Sequence, residues 1–244
     1  MKKTTELATL IGRRDVLRLI AAGTTLAFPG WALSEKSIWI PEDLPLTPQQ
    51  TEGPFYPQPS IEQQLFNDTD LIRKLGKDAA AKGQPCLVEG VVKDRKGKPI
   101  AGSIVEIWQA CTSGRYNHAR DHRNPSPLDD RFQFWGRAVT GVDGKYRFKT
   151  IVPGKYPGRT ARHIHFRVDA EGFRRCSTQS YFSDYGDDNL KDGIYRELDR
   201  KERELVTVEF DKPASRTVAD KASSKKSKQE AIWKGQFDLV LAKK

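Results

Sequence analysis

Cysteine is scarce in this sequence, with only three among 244 residues. Cys86, Cys111 and Cys176 leave at least one thiol unpaired in any intrachain scheme, and their spacing matches no zinc-binding motif. The absence of cysteines at tetrahedral-ligand spacing argues against a structural zinc site. We therefore expect buried free thiols or a single disulfide.

The sequence also lacks a dedicated basic face of the kind that binds nucleic acid. Lys and Arg total 42 against 32 Asp and Glu, and the resulting net charge of +10 is spread along the chain. It is concentrated near residues 221–228, where Lys lies among Ser and Ala, a composition typical of a solvated loop. We therefore expect no nucleic-acid partner. The length of the chain suits one large domain with accessory segments.

A membrane-spanning run is missing as well, because the apolar stretch at residues 19–28 is too short to cross a bilayer. It follows two lysines at the start of the chain and the pair Arg13-Arg14. Residues 1–32 thus resemble a twin-arginine export signal, although an amphipathic helix with an accidental arginine pair is the alternative. The resemblance implies a periplasmic or secreted protein that is not inserted stably in a membrane after signal removal.

The remaining sequence divides into an arm and a β-rich domain. Residues 33–83 are rich in proline before an apolar pattern that includes Leu71, Ile72 and Leu75, which predicts an extended arm followed by one or two short helices. Residues 84–244 contain short β-branched and aromatic segments separated by Gly and Pro turns. This series predicts an all-β sandwich or barrel with a short helical insert near residues 187–200.

Two pairs of neighbouring strands have the spacing of hairpins, at residues 87–108 and 134–151, each around a glycine-containing turn. Further strands are predicted at residues 163–168, 176–182, 205–210 and 236–241. These segments resemble a prealbumin-type β-sandwich. Such modules are mostly structural or binding domains, so the strands alone favour a module without catalytic activity.

The segment His163-Ile164-His165-Phe166 changes that interpretation. Alternate residues of a strand face the same side, so both imidazoles point one way while Ile164 and Phe166 point into apolar packing. Two adjacent imidazoles suit a metal site. A His-x-His pair alone is weak evidence, and the other two histidines lie in a loop without strand register.

Tyrosines in loops supply further candidate ligands. Tyr116 follows one predicted strand, and Tyr156 lies seven residues before His163. A phenol ionises near pH 10 in water, and only a strongly Lewis-acidic cation makes the phenolate its preferred form at neutral pH. Iron(III) meets that demand. Either tyrosine alone could be an ordinary core residue, but two of them with the histidine pair favour a ferric site.

Several motifs, in the same order along the chain, resemble the intradiol ring-cleavage dioxygenases, the family of protocatechuate 3,4-dioxygenase and catechol 1,2-dioxygenase. The likeness extends over most of residues 50–241. The matching motifs are TEGPFYP (51–57), VEIWQA (105–110), GRY (114–116), GR (136–137), YRFKTI (146–151), PGKYP (153–157), HIHF (163–166) and TQSYF (178–182).

The resemblance implies a prealbumin-like β-sandwich with one non-haem iron(III) per chain. Its ligands would be Tyr156 and His165 in axial positions and Tyr116 and His163 in equatorial positions beside a hydroxide. It also implies an enzyme that opens a catechol-type ring between its hydroxylated carbons with O2, giving a cis,cis-muconate-type diacid, and a homo-oligomeric assembly.

The same family places an arginine just before the histidine pair, and two candidates exist here. Arg159 and Arg162 precede His163 by four residues and by one. Because neighbouring strand residues face opposite sides, Arg162 should point away from His163, so Arg159 is favoured as the catalytic arginine. Gln179 matches a polar residue near the metal, Trp108 matches an aromatic pocket wall, and either also suits core packing.

Two other functions stay open on the sequence. A prealbumin-like binding or structural module would hold no iron. An iron(II) oxygenase would combine His163 and His165 with a carboxylate such as Asp169 or Glu171, in the arrangement of two histidines and one carboxylate.

Overall fold

The computed structural model describes residues 43–57, 68–214 and 231–244, together with the backbone of 216–219 and 226–229. The predicted export signal at 1–32 lies outside the described residues, as do 33–42 and 58–67 of the predicted arm. Within the described part, no helix is long and apolar enough to span a membrane.

Two five-stranded β-sheets form the described domain. The strands are β1 (Pro85–Asp94), β2 (Ile104–Trp108), β3 (Trp135–Val139), β4 (Lys145–Ile151), β5 (His163–Asp169), β6 (Cys176–Phe182), β7 (Thr207–Val208), β8 (Phe210–Asp211), β9 (Arg216–Ala219), β10 (Lys226–Gln229), β11 (Trp233–Gln236) and β12 (Leu239–Leu241). In the first sheet the order is β12-β1-β11-β8, with β4 paired to β1. In the second sheet the order is β3-β2-β5-β6-β7, and β9 and β10 form a separate ribbon. The predicted all-β sandwich is confirmed.

The core contains apolar side chains from both sheets and explains which way β5 faces. Val88 and Val92 alternate along β1 and are fully buried, as are Ile164 and Phe166 of β5. The Phe166 ring lies 5.0 Å from that of Phe237. Burying a side chain of this size stabilises the fold by about 1.5–3 kcal/mol. Because Ile164 and Phe166 enter this core, the alternating residues His163 and His165 face the opposite side of the second sheet.

Both predicted hairpins are wrong. β1 pairs with β4, and β2 pairs with β3 and β5, so each expected hairpin has its two strands in different sheets. The turns themselves form: the Gly97 amide donates to the Asp94 carbonyl, and the Gly144 amide donates to that of Gly141. A glycine turn can reverse a chain within one sheet or carry it to the facing sheet. Alternation of apolar and polar residues identifies a strand but does not tell which other strand it pairs with.

The helices differ from their prediction in one place. Residues 68–75 contain no helix; the Leu71 amide donates to Lys149, and the Leu71 side chain is buried beside β4. The helical insert is present as α1 (Gly186–Asn189), α2 (Gly193–Glu197) and α3 (Arg200–Val206). Asp192 caps α2, and Asp199 forms a capping box with Glu202 at the start of α3.

Two smaller expectations are also resolved. All three cysteines are buried and free, in agreement with the expectation of unpaired thiols. The lysine-rich segment is not only a loop, because Lys226–Gln229 pairs with Arg216–Ala219, while residues 221–225 lie outside the described part.

Candidate metal centre

His163 and His165 lie side by side on the face of β5 that points away from the core. They are 2% and 1% exposed, and their ring centroids are 4.9 Å apart. Trp108 is the cross-strand neighbour of His165 on β2, and its indole lies nearly parallel to the imidazole at a centroid distance of 4.8 Å. Packing therefore fixes the orientation of the second histidine, and Trp108 forms a wall beside the pair.

The two tyrosines reach this face on loops that cross at glycines. Gly114 and Gly154 each precede a tyrosine by two residues, and the Gly154 amide donates to the Cys111 carbonyl at 3.0 Å. A Cβ at Gly154 would lie 2.3 Å from the Gly114 amide nitrogen, so only glycine permits this approach. The crossing places Tyr116 and Tyr156 with ring centroids 5.3 Å apart.

Two of the predicted side chains, Tyr156 and His163, meet at one point. The Tyr156 hydroxyl lies 3.3 Å from Nε2 of His163. Nδ1 of His163 is 2.8 Å from the Ala161 carbonyl, which can only accept, so Nδ1 carries the proton and Nε2 carries the lone pair in the neutral ring. A histidine held this way by a backbone carbonyl has the tautomer of a metal ligand.

Burial keeps both imidazoles neutral. Desolvation, reinforced by the charge of Arg159, lowers the pKa of His163 to about 3. Desolvation, with the charges of His163 and Arg159, lowers the pKa of His165 well below its usual value. Neutral imidazoles have lone pairs available for a cation at physiological pH.

The two phenols, Tyr116 buried and Tyr156 partly buried, fit the same cation. Burial raises the pKa of Tyr116 well above its usual value, and the nearby Tyr156 adds to the effect. Burial also raises the pKa of Tyr156, although Arg159 opposes it. The Tyr116 hydroxyl and Nδ1 of His165 are buried without a hydrogen-bond partner of normal geometry among the described residues. An unpartnered buried hydroxyl is costly, and a strongly Lewis-acidic cation would satisfy it as a phenolate.

Arg159, and not Arg162, faces the histidines. Its Nη1 is 3.2 Å from Nε2 of His163, and its Nη2 donates to Gln179 at 2.8 Å. Arg162 instead donates to the Pro153 carbonyl and lies over the Tyr185 ring. The structure thus brings Tyr116, Tyr156, His163, His165, Arg159 and Gln179 to one face.

The carboxylates required by the iron(II) alternative are engaged elsewhere. Asp169 accepts hydrogen bonds from Arg167 at 3.2 Å and Arg175 at 2.6 Å, and Glu171 is exposed. Among the described residues, no group of three His, Cys, Asp or Glu side chains could hold a metal ion. The donors that do converge on the histidine pair are phenols.

A family model described as Dioxygenase matches residues 52–242. The beta chain of protocatechuate 3,4-dioxygenase from Burkholderia cepacia is 40% identical over 122 residues, which are 47% of this chain and 52% of that one. The chain belongs to the intradiol dioxygenase family.

Further relatives agree with this family assignment. Hydroxyquinol 1,2-dioxygenase from Nocardioides simplex is 32% identical over 168 residues, which are 57% of this chain and 54% of the relative. The chain spans about half the length of these two relatives. The solved dioxygenase domain of a dioxygenase–carbohydrate-binding protein fusion from Streptomyces sp. SirexAA-E is 30% identical at a TM-score of 0.56, over 82% of this chain and 100% of that chain.

Some residues that contact the candidate metal ligands or Arg159 and Gln179 were not predicted from the sequence to belong to the site. Phe55, in the motif at residues 51–57, stacks on Tyr116 at a centroid distance of 4.5 Å. Gln50 accepts from the Gln179 amide and donates to the Tyr181 hydroxyl. The motif pointed to the arm, but no local pattern pointed to Asp192, which lies in the helical insert and binds Arg159.

Proposed function

We propose that the chain is a ferric intradiol dioxygenase, with iron(III) held by Tyr116, Tyr156, His163 and His165. One observation carries the proposal: the buried phenol of Tyr116, the partly buried phenol of Tyr156 and two neutral imidazoles meet on one face, and among the described residues the Tyr116 hydroxyl makes no hydrogen bond of normal geometry. Proteins rarely leave a buried hydroxyl unsatisfied without a functional reason. The ring-opening activity implied by the family gives that reason.

The ion, when bound, would supply Lewis acidity that keeps both phenols ionised and draws a catechol-type substrate into the site as an anion. The charges of the four proposed ligands suit a ferric ion. Two phenolates offset most of the charge of a ferric ion, while the imidazoles add none, so a buried site can hold it without a large unpaired charge.

Tyr156 is the proton acceptor in this proposal. It is the less buried of the two phenols, and its hydroxyl oxygen already lies beside Nε2 of His163. As a phenolate it can take a proton from an entering catechol hydroxyl at its own Oη. The substrate hydroxyl would thereby be ionised without an external base, because the phenolate of Tyr156 itself accepts the proton.

Arg159 and the aromatic walls orient the substrate. Nη1 of Arg159 points at the position where Tyr156 and His163 meet, so a guanidinium there stabilises negative charge that develops on a substrate oxygen. Phe55 packs against Tyr116 and Trp108 packs against His165, and these rings exclude water from two sides. The product is a cis,cis-muconate-type diacid that contains both atoms of O2.

Visible absorption tests the metal assignment. The iron-loaded protein should be red-brown from phenolate-to-iron charge transfer, and Tyr116→Phe and Tyr156→Phe should each weaken that band. Tyr146→Phe is the matched control, because Tyr146 is equally buried but donates to Phe237 away from the site. A purified protein that binds zinc or no metal, or a band insensitive to both site variants, contradicts the proposal.

The reaction itself is tested with catechol, protocatechuate and hydroxyquinol under isotope-labelled dioxygen. The expected product from at least one of them is a diacid in which both labelled atoms are present. Failure with all three, in a protein that carries the ferric band, rules out this substrate class. A protein without iron or turnover supports instead the binding or structural module.

We also propose that residues 1–32 direct export by the twin-arginine route and that the mature protein is a homo-oligomer without stable membrane insertion. The arginine pair and the short apolar stretch support the first part, and the family resemblance supports the second. Cell fractionation with Arg13→Lys and Arg14→Lys together should move the protein from the periplasm to the cytoplasm. Light scattering should give a mass that is a multiple of the mature chain.

A further inference from the structure

We propose that Asp192 is a positioning residue for the reaction, because it holds the guanidinium of Arg159 against the metal-binding face. This inference rests on the proposed function. Asp192 lies in the helical insert, outside the motifs that carry the family resemblance, and its side chain is fully buried.

Each nitrogen of the Arg159 guanidinium has its own partner. Nε donates to Oδ2 of Asp192 at 2.8 Å, and Nη2 donates to Oε1 of Gln179 at 2.8 Å. Nη1 is left facing Nε2 of His163 at 3.2 Å. A planar group fixed at two of its nitrogens cannot rotate, so the third is directed at the site.

The carboxylate of Asp192 is itself held rigidly. Its Oδ1 accepts from the amides of Ile194 and Tyr195 at the start of α2. Its Oδ2 also accepts from the amides of Thr160 and Ala161, at 3.1 and 3.2 Å. Asp192 therefore ties the helical insert to the loop that leads directly into His163.

Charge reinforces this geometry. Burial raises the pKa of Asp192, but the hydrogen bond and charge of Arg159 outweigh it, so the carboxyl stays below its usual pKa. Losing either partner leaves the other as a buried, uncompensated charge. Asp192 thus fixes the cationic guanidinium of Arg159 beside the position of the substrate.

Asp192→Asn is the first test. Asn caps helices as well as Asp does, so its side-chain oxygen can still accept from the first amides of α2. Its NH2 group, which cannot accept a hydrogen bond, would then face the donors of Arg159, Thr160 and Ala161. We expect kcat to fall about 10-fold with KM little changed, because Arg159 acts on charge that develops during the reaction. Asp199→Asn is the matched control, a cap on α3, and should leave kcat and KM unchanged.

A double-mutant cycle separates positioning from simple support of the fold. In an Arg159→Met background, Asp192→Asn should lower kcat by less than about twofold, because its effect is transmitted through Arg159. If Asp192→Asn lowers kcat as much in that background as it does when Arg159 is intact, the proposal is overturned. Asp192→Ser, which keeps a capping oxygen without a carboxylate, repeats the cycle if the Asn variant does not fold.

A measurement without turnover distinguishes failure of this inference from failure of the proposed function. In metal-free protein, the Nε–H resonance of Arg159 should be shifted downfield and slow to exchange, and Asp192→Asn should abolish that signature while Asp199→Asn preserves it. Loss of the signature in both variants, or in neither, contradicts the inference even if no catechol is cleaved.

Discussion

The Cα of Gly114 lies directly against the carbonyl of Lys155. A Cβ built on Gly114 would fall 1.8 Å from that oxygen, and the residue has a φ of +81°. The contact joins the two loops that carry Tyr116 and Tyr156, so the distance between the two phenols is set by backbone packing and not by the tyrosines themselves.

Gly114→Ala should therefore separate the loops. We expect the variant to lose most of its iron and to be destabilised by more than about 2 kcal/mol, since both the clash and the positive φ oppose alanine. Iron content and urea unfolding measure the two effects.

Gly102→Ala is the control, with a φ of +70° and no atom within 4 Å of the added Cβ. It carries the backbone strain without the clash and should keep its iron. Equal iron content in the two variants would contradict the role of the Gly114–Lys155 contact in positioning the two tyrosines.

Metal-free protein should respond in opposite directions to two tyrosine variants. Tyr116→Phe removes a buried hydroxyl that makes no hydrogen bond of normal geometry within the described part of the chain, and should stabilise the metal-free fold by about 1 kcal/mol. Tyr146→Phe breaks a hydrogen bond to the Phe237 carbonyl and should destabilise that fold by about 1 kcal/mol. Urea unfolding after chelation gives both values. A destabilised Tyr116→Phe variant would show that the hydroxyl has a partner in the absence of metal.

Of the two arginines before the histidine pair, Arg159 should matter more for turnover. Arg159→Met should lower kcat about 100-fold, because it removes the donor nearest to the developing charge. Arg162→Met should lower kcat by less than about threefold, since Arg162 contacts Pro153 and Tyr185. Steady-state kinetics of iron-matched samples decides, and the reverse order would reassign the active-site arginine.

Acid should weaken the contribution of Asp192 to stability. Its folded pKa lies below the ordinary value of 3.8, so the unfolded chain takes up the proton first as pH falls. The stabilisation is complete above pH 3.8 and is lost as pH drops below it toward the folded pKa. The difference in unfolding free energy between wild type and Asp192→Asn should shrink over that range, measured in urea. A difference that stays constant throughout the acid range is incompatible with the shift.

The sequence predicted the strand that carries the histidines, because alternation in His163–Asp169 is a local property of the chain. Tyr116 and Tyr156 were predicted for a different reason: both lie in loops, a phenolate suits a ferric ion, and both also matched family motifs. Strand pairing was not predictable: the turns near Gly97 and Gly144 have the same local chemistry whether they close a hairpin or cross between sheets.

Asp192 was missed on similar grounds. Its sequence context indicates only a helix cap, and its contact with Arg159 depends on how the insert folds back over β6. A pattern within a few residues cannot contain a partnership formed by tertiary packing.

The position of β1 has a consequence for biosynthesis. One edge of this strand pairs with β4, but the other pairs with β11 and β12, which are translated much later. A nascent chain therefore leaves that edge of β1 uncovered until residues 233–241 have left the ribosome, and such long-range pairings close slowly. The first sheet can therefore close only after its last strands have been synthesised, well after the strand that carries His163 and His165.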